Sequence, residues 1–187
     1  MRRANGVSEL HYHRVRSNFG QMLIVWRPAD CRVLRIFLPK QLRLFETLLR
    51  NSAITAALPG RPVRAMCRGI SGLLRGRPVV FDLDVLDWSV TSFFQKRVLL
   101  AECNIPGGKV STYSRIASKI GSSSAARAVG NALAKNPFPL VIPCHRAIRN
   151  DGSLGGYAGG IDMKKKLLEL EGIEFDSRGR VVTREFW

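Results

Sequence analysis

The residues with the clearest chemical potential in this 187-residue sequence lie in one short apolar run, VIPCHRAI, at positions 141–148. Cys144 follows a proline and precedes His145 and Arg146. A thiolate is a strong nucleophile, and a neighbouring imidazole or guanidinium can favour it over the thiol. Cys144 therefore has three candidate roles: a nucleophile, a metal ligand, or a small buried residue of the core.

Metal binding and proteolysis are weaker interpretations of the cysteine. The sequence around Cys144 lacks the further Cys and His residues that a four-ligand zinc site needs. A cysteine protease would require His11 or His13 to reach the sulfur from the far end of the chain. A separate zinc site can be drawn from His11, His13 and Cys31, but no fourth ligand follows at a recognisable spacing. We predict no metal and no cofactor.

The charge of the chain favours an anionic partner. Thirty Lys and Arg against fourteen Asp and Glu give a formal net charge of +16, which favours phosphate polyanions. The window from Cys103 to Asn150 contains basic residues and no acidic one, and it includes VIPCHRAI. Arginine enrichment without a binding role is the alternative explanation.

The cysteines and the apolar segments indicate a compartment. Four scattered cysteines without a CxxC pair are typical of a reducing environment. The opening MRRANGVSEL lacks the apolar stretch of a secretory signal, and no window reaches the roughly 20 apolar residues of a membrane span. We expect a cytoplasmic or nuclear protein without membrane contact.

The chain divides into two predicted domains of an α+β fold. HYHRVR, GQMLIVWR and CRVLRIFLP predict an antiparallel meander, followed by helices in QLRLFETLLRNS and near RAMCRGISGLLRG. VVFDLDVLDW alternates and predicts a further strand. These segments form a small α/β domain at residues 1–89. Residues 90–187 are predicted to form a mostly helical, winged-helix-like domain whose first helix is capped by Thr91 or Ser92.

Two short helices, STYSRIASKI and SSSAARAVGNALAK, predict a helix-turn-helix. Ala117 and Gly121 supply the small residues that its turn needs, and Asn136 with Pro137 ends the second helix. That second helix is slender, because alanine and glycine dominate it, and Arg127 stands out along it. It fits the minor groove, about 6 Å wide, with one long side chain entering the base stack. An alanine-rich helix packed against a neighbour explains the pattern equally well.

From about Thr91 to Gly172 the sequence resembles the O6-alkylguanine-DNA alkyltransferases, also called methylated-DNA–protein-cysteine methyltransferases. The resemblance is carried by FQKRVL, IPGGKVSTYSRIA, RAVGNALAKNP, PCHR, GGYAGG and the leucine-rich helix that ends in Glu-Gly. Residues 1–90 are merely compatible with the small, variable first domain of that family.

The resemblance implies catalytic roles. Cys144 takes the alkyl group, and His145 acts as a base through a bridging water, backed by Glu171. Asn136 orders the loop under the thiol. Tyr113 donates a proton to the departing guanine and crowds the phosphate, so that the nucleotide rotates out.

The resemblance also implies contacts with DNA and with the base. Arg127 takes the place of the extruded base. The remaining residues implied to contact DNA are Tyr113, Ala126, Ala128, Gly130 and Lys135. The residues implied to form the base pocket are Val141, Pro143, Arg146, Tyr157, Ala158 and Gly159. Gly156 and Ala158 are smaller than the residues found there in many relatives, which predicts a roomy pocket.

The function implied is a single-turnover DNA repair reaction. A monomer would flip O6-alkylguanine, and by extension O4-alkylthymine, out of double-stranded DNA from the minor groove and transfer the alkyl group irreversibly to its own cysteine. Two rivals lack this chemistry: a damage sensor that binds lesions without a reactive cysteine, and a helix-turn-helix regulator. Cys144 argues against the first, and the second leaves PCHR unexplained.

Overall fold

The structure is a computed structural model that describes residues 9–183 and 186–187. Residues 1–8, most of the opening segment used above to argue against a secretory signal, lie outside these ranges. In chain order the elements are β1 (Leu10–Ser17), β2 (Gly20–Arg27), β3 (Arg32–Phe37), α1 (Leu42–Asn51), β4 (Ile54–Ala56), α2 (Arg61–Leu73), α3 (Phe93–Cys103), β5 (Ser111–Thr112), α4 (Tyr113–Lys119), α5 (Ala126–Ala134), β6 (Ala147–Ile148) and α6 (Ile161–Leu170). No helix in the described ranges is long and apolar enough to cross a membrane.

The first half of the chain forms the expected antiparallel meander. Its sheet has the order β3-β2-β1-β4, in which β1, β2 and β3 are antiparallel neighbours. The short strand β4, which the sequence pattern missed, pairs in parallel with the start of β1. Strand β2 is buried on both faces, because α1 covers one face and the main core of the molecule covers the other.

The strand predicted in VVFDLDVLDW is wrong. This segment forms two short 3-10 turns, Leu83–Val85 and Trp88–Val90, and touches the sheet through one bridge between Val33 and Leu86. Asp82 and Asp87 accept hydrogen bonds from backbone N–H groups two residues further on. Such local bonds compete with strand pairing, so apolar alternation alone misleads here.

The second half contains the helix-turn-helix. Ser92 caps α3 by accepting a hydrogen bond from the Gln95 N–H, which decides between the two predicted caps. Helices α4 and α5 pack against each other and against α3. Gly121 adopts a positive φ of 69° in the turn between α4 and α5, a conformation that glycine adopts without strain. The α+β fold class is thus confirmed.

The two halves share one core. A single buried cluster includes Val15 and Trp26 from the sheet together with Val98 and Phe138 from the second half. The Ile36 N–H also donates a hydrogen bond of 2.8 Å to a backbone carbonyl just after α5. The division at residues 89 and 90 stays a prediction, because the packing across it is continuous.

Candidate active site

The Cys144 thiol lies in a buried turn organised by one amide side chain. Cys144 begins a 3-10 turn directly after Pro143 and is 7% exposed. The buried Asn136 donates from Nδ2 to the Ile142 carbonyl and to the Cys144 sulfur, both at 3.2 Å. Its Oδ1 accepts a bond of 2.9 Å from the Phe138 N–H. The Asn136 side chain is therefore hydrogen-bonded to both ends of the loop, at Phe138 and Ile142, and to the Cys144 sulfur.

His145 is fully buried beside the thiol turn and contacts Glu171. Its Nε2 lies 3.0 Å from a Glu171 carboxylate oxygen. Its Nδ1 is buried without a hydrogen-bond partner among the described residues. Burial lowers the pKa of His145, against the opposing effect of Glu171, so the imidazole is neutral at rest and able to accept a proton.

Glu171 ends α6 and is ionised in this setting. Burial alone would raise its pKa, but hydrogen bonds and charges from His145 and Arg146 outweigh burial and lower the pKa to about 2. The guanidinium of Arg146 donates three bonds, of 3.2, 2.9 and 2.7 Å, to the carboxylate and a fourth, of 2.6 Å, to the Ile105 carbonyl. These contacts offset the unfavourable position of a carboxylate at a helix C-terminus.

The imidazole and guanidinium that follow Cys144, which are able to favour a thiolate, do not do so in this structure. Burial raises the pKa of Cys144 to about 11, although the Asn136 hydrogen bond opposes this shift. The Arg146 guanidinium forms an ion pair with Glu171 and not with the sulfur, and the His145 ring is neutral. The resting sulfur is a protonated thiol, so reaction requires proton removal by a base.

A cavity of about 490 Å³ opens beside the sulfur and α5. The residues that line it are Tyr113, Ala126, Arg127, Gly130, Asn131, Leu133, Ala134, Cys144, Arg149, Gly155, Gly156, Tyr157 and Ala158. The structure thus brings the sulfur, the exposed Arg127 and two of the predicted pocket residues, Tyr157 and Ala158, around one space. Ala128 and Lys135 are exposed on α5 and at its C-terminal cap, outside the cavity lining.

Four residues predicted to form the pocket lie elsewhere. Val141, Pro143 and Arg146 line a different cavity, next to Cys103, because Arg146 is drawn back onto Glu171. Gly159 is buried where an added Cβ would lie 2.4 Å from a methionine sulfur. These positions support the pocket from behind, and their side chains do not line the space in front of the thiol.

Tyr113 faces the cavity as the first residue of α4. Burial raises its pKa, so the phenol keeps its proton at neutral pH. Its hydroxyl lies against Gly155, where an added Cβ would be 2.7 Å from the oxygen. Gly155 lies in the GGYAGG motif but is not among the predicted site residues, and its missing side chain permits this close approach.

Two further ionisable groups are buried close enough to Cys144 to affect its pKa. Neither is predicted from the sequence. Lys164 is fully buried and donates to the carbonyls of Ala147 and Leu154, both at 2.5 Å. Glu102 is fully buried, and within the described part of the chain neither carboxylate oxygen has a well-formed hydrogen bond. Burial raises the pKa of Glu102 to about 8 and lowers that of Lys164 to about 8.

A metal site does not form from the candidate ligands. Across residues 9–183 and 186–187 no three His, Cys, Asp or Glu side chains are grouped so as to hold an ion. His11 contacts the Glu9 carboxylate at 3.3 Å, and Cys31 lies 3.6 Å from the position of an added Cβ at Gly60. The alternative zinc site drawn from His11, His13 and Cys31 is therefore not assembled.

A buried thiol next to a histidine–carboxylate pair therefore opens beside the slender second helix of a helix-turn-helix. A family model described as "6-O-methylguanine DNA methyltransferase, DNA binding domain" matches residues 93–173. A methylated-DNA–protein-cysteine methyltransferase of Methanothermobacter thermautotrophicus is 45% identical over 120 residues, which cover 64% of this chain and 67% of that protein.

Solved structures agree with this similarity over most of the chain. Mycobacterium tuberculosis OGT in complex with DNA matches with a TM-score of 0.70 and 33% identity over 86% of this chain and 92% of that one. An O6-methylguanine-DNA methyltransferase from Pyrococcus kodakaraensis matches with a TM-score of 0.65 and 28% identity over 88% and 99%. The chain belongs to the methylated-DNA–protein-cysteine methyltransferase family, and its activity is DNA repair by alkyl transfer.

The Glu102 carboxyl predicts a pH-dependent loss of stability. Its pKa in the folded state is about 8, against an ordinary value of 4.5. The folded state therefore holds this proton more tightly than the unfolded state does. The resulting stabilisation is fully present below pH 4.5 and is lost as the pH rises through about 8. The free energy of unfolding should fall by up to about 1.4 kcal/mol per pH unit from this group.

We expect Glu102→Gln to flatten the decline in melting temperature between about pH 5 and pH 8 relative to the unmodified chain. Glu174→Gln, which changes an exposed glutamate, is the matched control and should leave the decline unchanged. Parallel pH profiles for Glu102→Gln and the unmodified chain would contradict the assignment. The comparison cancels the contribution of His145, because this residue is the same in both proteins.

Proposed function

We propose that this protein rotates O6-alkylguanine, and by extension O4-alkylthymine, out of duplex DNA and transfers the alkyl group irreversibly to its own Cys144. The observation that carries the proposal is the buried thiol, held by Asn136 and next to the neutral His145, on a cavity that also contains Tyr113 and Arg127. The protein acts as a monomer in the cytoplasm or nucleus and uses no cofactor.

Proton removal is the first chemical step. The Cys144 thiol passes its proton through a bridging water to His145 Nδ1, the buried ring nitrogen that Glu171 does not occupy. The ionised Glu171 stabilises the imidazolium that forms, as a carboxylate orients and supports a catalytic histidine elsewhere. This proton transfer overcomes the raised pKa of the thiol only while substrate is in place.

Alkyl transfer then exchanges one bond for another. The sulfur forms a bond to the alkyl carbon, the bond between that carbon and guanine O6 breaks, and its electron pair goes to the base. Tyr113 donates a proton to the base, so guanine leaves neutral. The product is a thioether without a good leaving group, so each chain reacts once.

Base extrusion explains the slender helix. The alkyl carbon of a stacked base is out of reach of a buried thiol, and extrusion costs a few kcal/mol. A Cβ added at Gly130 would lie 3.9 Å from the Tyr113 ring, so α5 passes close to Tyr113 at this glycine. Helix α5 enters the minor groove, and the exposed Arg127 fills the gap in the stack. A damage sensor or a regulator would need neither the Asn136–Cys144 contact nor the His145–Glu171 pair.

Intact-mass measurement tests the transfer directly. After incubation with duplex DNA that contains one O6-methylguanine, the chain should gain the mass of one CH₂ group, because a methyl group replaces the thiol hydrogen. Cys144→Ser should show no gain, and Cys103→Ser should behave like the unmodified chain. An unmodified mass after complete incubation, or a gain that persists in Cys144→Ser, would exclude the proposed reaction.

Substitution of Arg127 separates base extrusion from chemistry. Arg127→Ala should slow methyl transfer from duplex DNA about 10- to 100-fold, because the open stack loses its plug, whose contribution is a few kcal/mol at most. Transfer from the free base O6-methylguanine should stay within about twofold, since no stack is opened. Arg43→Ala removes the same charge from α1 and should affect neither rate. Equal losses on both substrates would rule out the plug.

The cavity size predicts tolerance of bulky adducts. Gly156 and Ala158 leave the mouth of the cavity open, and an added Cβ at Gly156 meets nothing within 4 Å. We expect O6-benzylguanine to inactivate the protein at least as fast as O6-methylguanine. Gly156→Phe should slow the benzyl reaction more than the methyl reaction. A benzyl reaction far slower in the unmodified chain would show that the pocket is restrictive.

A further inference from the structure

A second basic surface lies in the first half of the molecule. A groove of about 540 Å³ runs between α2 and the C-terminal part of β1, and no acidic residue lines it. Its α2 side carries the arginines Arg64, Arg68, Arg75 and Arg77, and β1 lines it with Arg14 and Arg16. The Arg14 guanidinium itself lies over the Tyr12 ring, on the α1 face of the sheet, so β1 contributes mainly its edge. The groove shares no lining residue with the cavity beside Cys144. We propose that this groove, called here the α2 groove, binds the phosphodiester backbone of DNA independently of α5.

The charges of the α2 groove are not neutralised within the protein. Between residues 31 and 81 the sequence contains one acidic residue, Glu46, and it lies on α1, which covers the other face of the sheet. Among the described residues, no arginine of the groove forms an ion pair with a carboxylate. Arg64 and Arg68 are one helical turn apart, where like charges repel. An external anion would relieve this repulsion.

The backbone of β1 adds donors to the same groove. Strand β4 covers the outer edge of β1 only from Leu10 to Tyr12. On that edge the Leu10 N–H donates a hydrogen bond to Ala53, and the Tyr12 carbonyl accepts one from Ala57. The backbone groups of every second residue of a strand point to the same edge. The N–H groups of Arg14 and Arg16 therefore face the groove, on a stretch that no described strand covers. Peptide N–H groups and guanidinium forks both suit phosphate oxygens.

The spacing of the charges favours a polymer over a single phosphate ion. From Arg64 to the end of α2 the helix rises about 14 Å. Successive phosphates of one DNA strand are about 3.4 Å apart along the duplex axis, so this length matches about four of them. The groove offers few apolar side chains, whereas protein interfaces use aromatic and aliphatic anchors. DNA backbone is therefore the occupant that the groove fits, given that the family acts on DNA.

The test compares two double variants with the same loss of charge. Arg68→Gln with Arg75→Gln removes two exposed groove arginines, and neither guanidinium forms a hydrogen bond within the described residues. Arg43→Gln with Arg50→Gln removes two exposed arginines of α1 and is the control. Equilibrium binding to undamaged duplex DNA is measured with each full-length variant between 50 and 200 mM NaCl. Equal melting temperatures establish that both variants are folded.

We expect the groove variant to reduce the slope of log affinity against log salt by about 1.8, from two lost phosphate contacts at about 0.9 each. Its affinity should then change about 12-fold less across that salt range. The control should keep the slope of the unmodified chain. Equal slopes for the two variants would overturn the proposal, since the effect would then be one of net charge.

Two further arms identify the ligand and separate this proposal from the alkyl-transfer proposal. Replacing NaCl with sodium phosphate of equal ionic strength should leave the difference between the variants intact, and its disappearance would overturn binding of a polymer backbone. Methyl transfer from the free base should proceed at the same rate in both variants, because that reaction depends on Cys144 and not on the α2 groove. A loss of that transfer in the groove variant alone would contradict an independent site.

Discussion

The carboxylate of Glu171 accepts hydrogen bonds from His145 and Arg146 together, and this buried cluster fixes the end of α6 to the turn that carries Cys144. Glu171 orients the imidazole and draws the Arg146 guanidinium away from the sulfur, while burial keeps the imidazole neutral. Removing one member would leave a buried partner unpaired, which costs more than the pair itself contributes. The geometry of the thiol turn therefore depends on a residue that lies 27 positions further along the chain.

Burial gives the cysteine its selectivity. A sulfur with a pKa of about 11 is a poor nucleophile and a poor target for oxidants at neutral pH. It reacts only when a base and an electrophilic carbon are both present. Asn136 donates a hydrogen bond to the sulfur, Tyr157 packs near the imidazole at a ring distance of 6.5 Å, and the cavity at the sulfur opens beside α5. Under the proposed function, the reactivity of Cys144 is thus tied to the presence of an extruded base.

The parts of the molecule that could be predicted from sequence are those encoded locally. The meander, a helix cap at Thr91 or Ser92 and the helix-turn-helix depend on neighbouring residues, and these predictions match the structure, which selects Ser92 as the cap. The orientation of a side chain within an element is not encoded in this way. Lys164 sits in a run of three lysines and Glu102 in an otherwise ordinary helix, so the pattern does not mark which charge points inward.

Tertiary competition explains the other differences. The alternating segment before residue 90 satisfies its backbone with aspartate side chains, and the three-residue strand β4 is too short for a detectable period. The family resemblance implied that Arg146 lines the pocket, but its guanidinium is bound to the Glu171 carboxylate, which is distant in sequence. Gly155 matters because it has no Cβ, which would clash with Tyr113. The sequence does not show this, because it does not show that the two residues are neighbours in the fold.

The backbone bond from the sheet to the loop beneath the sulfur has a further consequence. The Ile36 N–H holds the Pro137 carbonyl, one residue after the amide that anchors the thiol, so strand β3 acts as a rigid buttress for the reactive loop. The first half of such a chain is free to diverge in surface chemistry, but its sheet must keep the same distance and angle to that loop. Sequence changes in the first half are therefore limited where they would move strand β3 relative to the loop that holds the Cys144 sulfur, more than a hundred positions further along the chain.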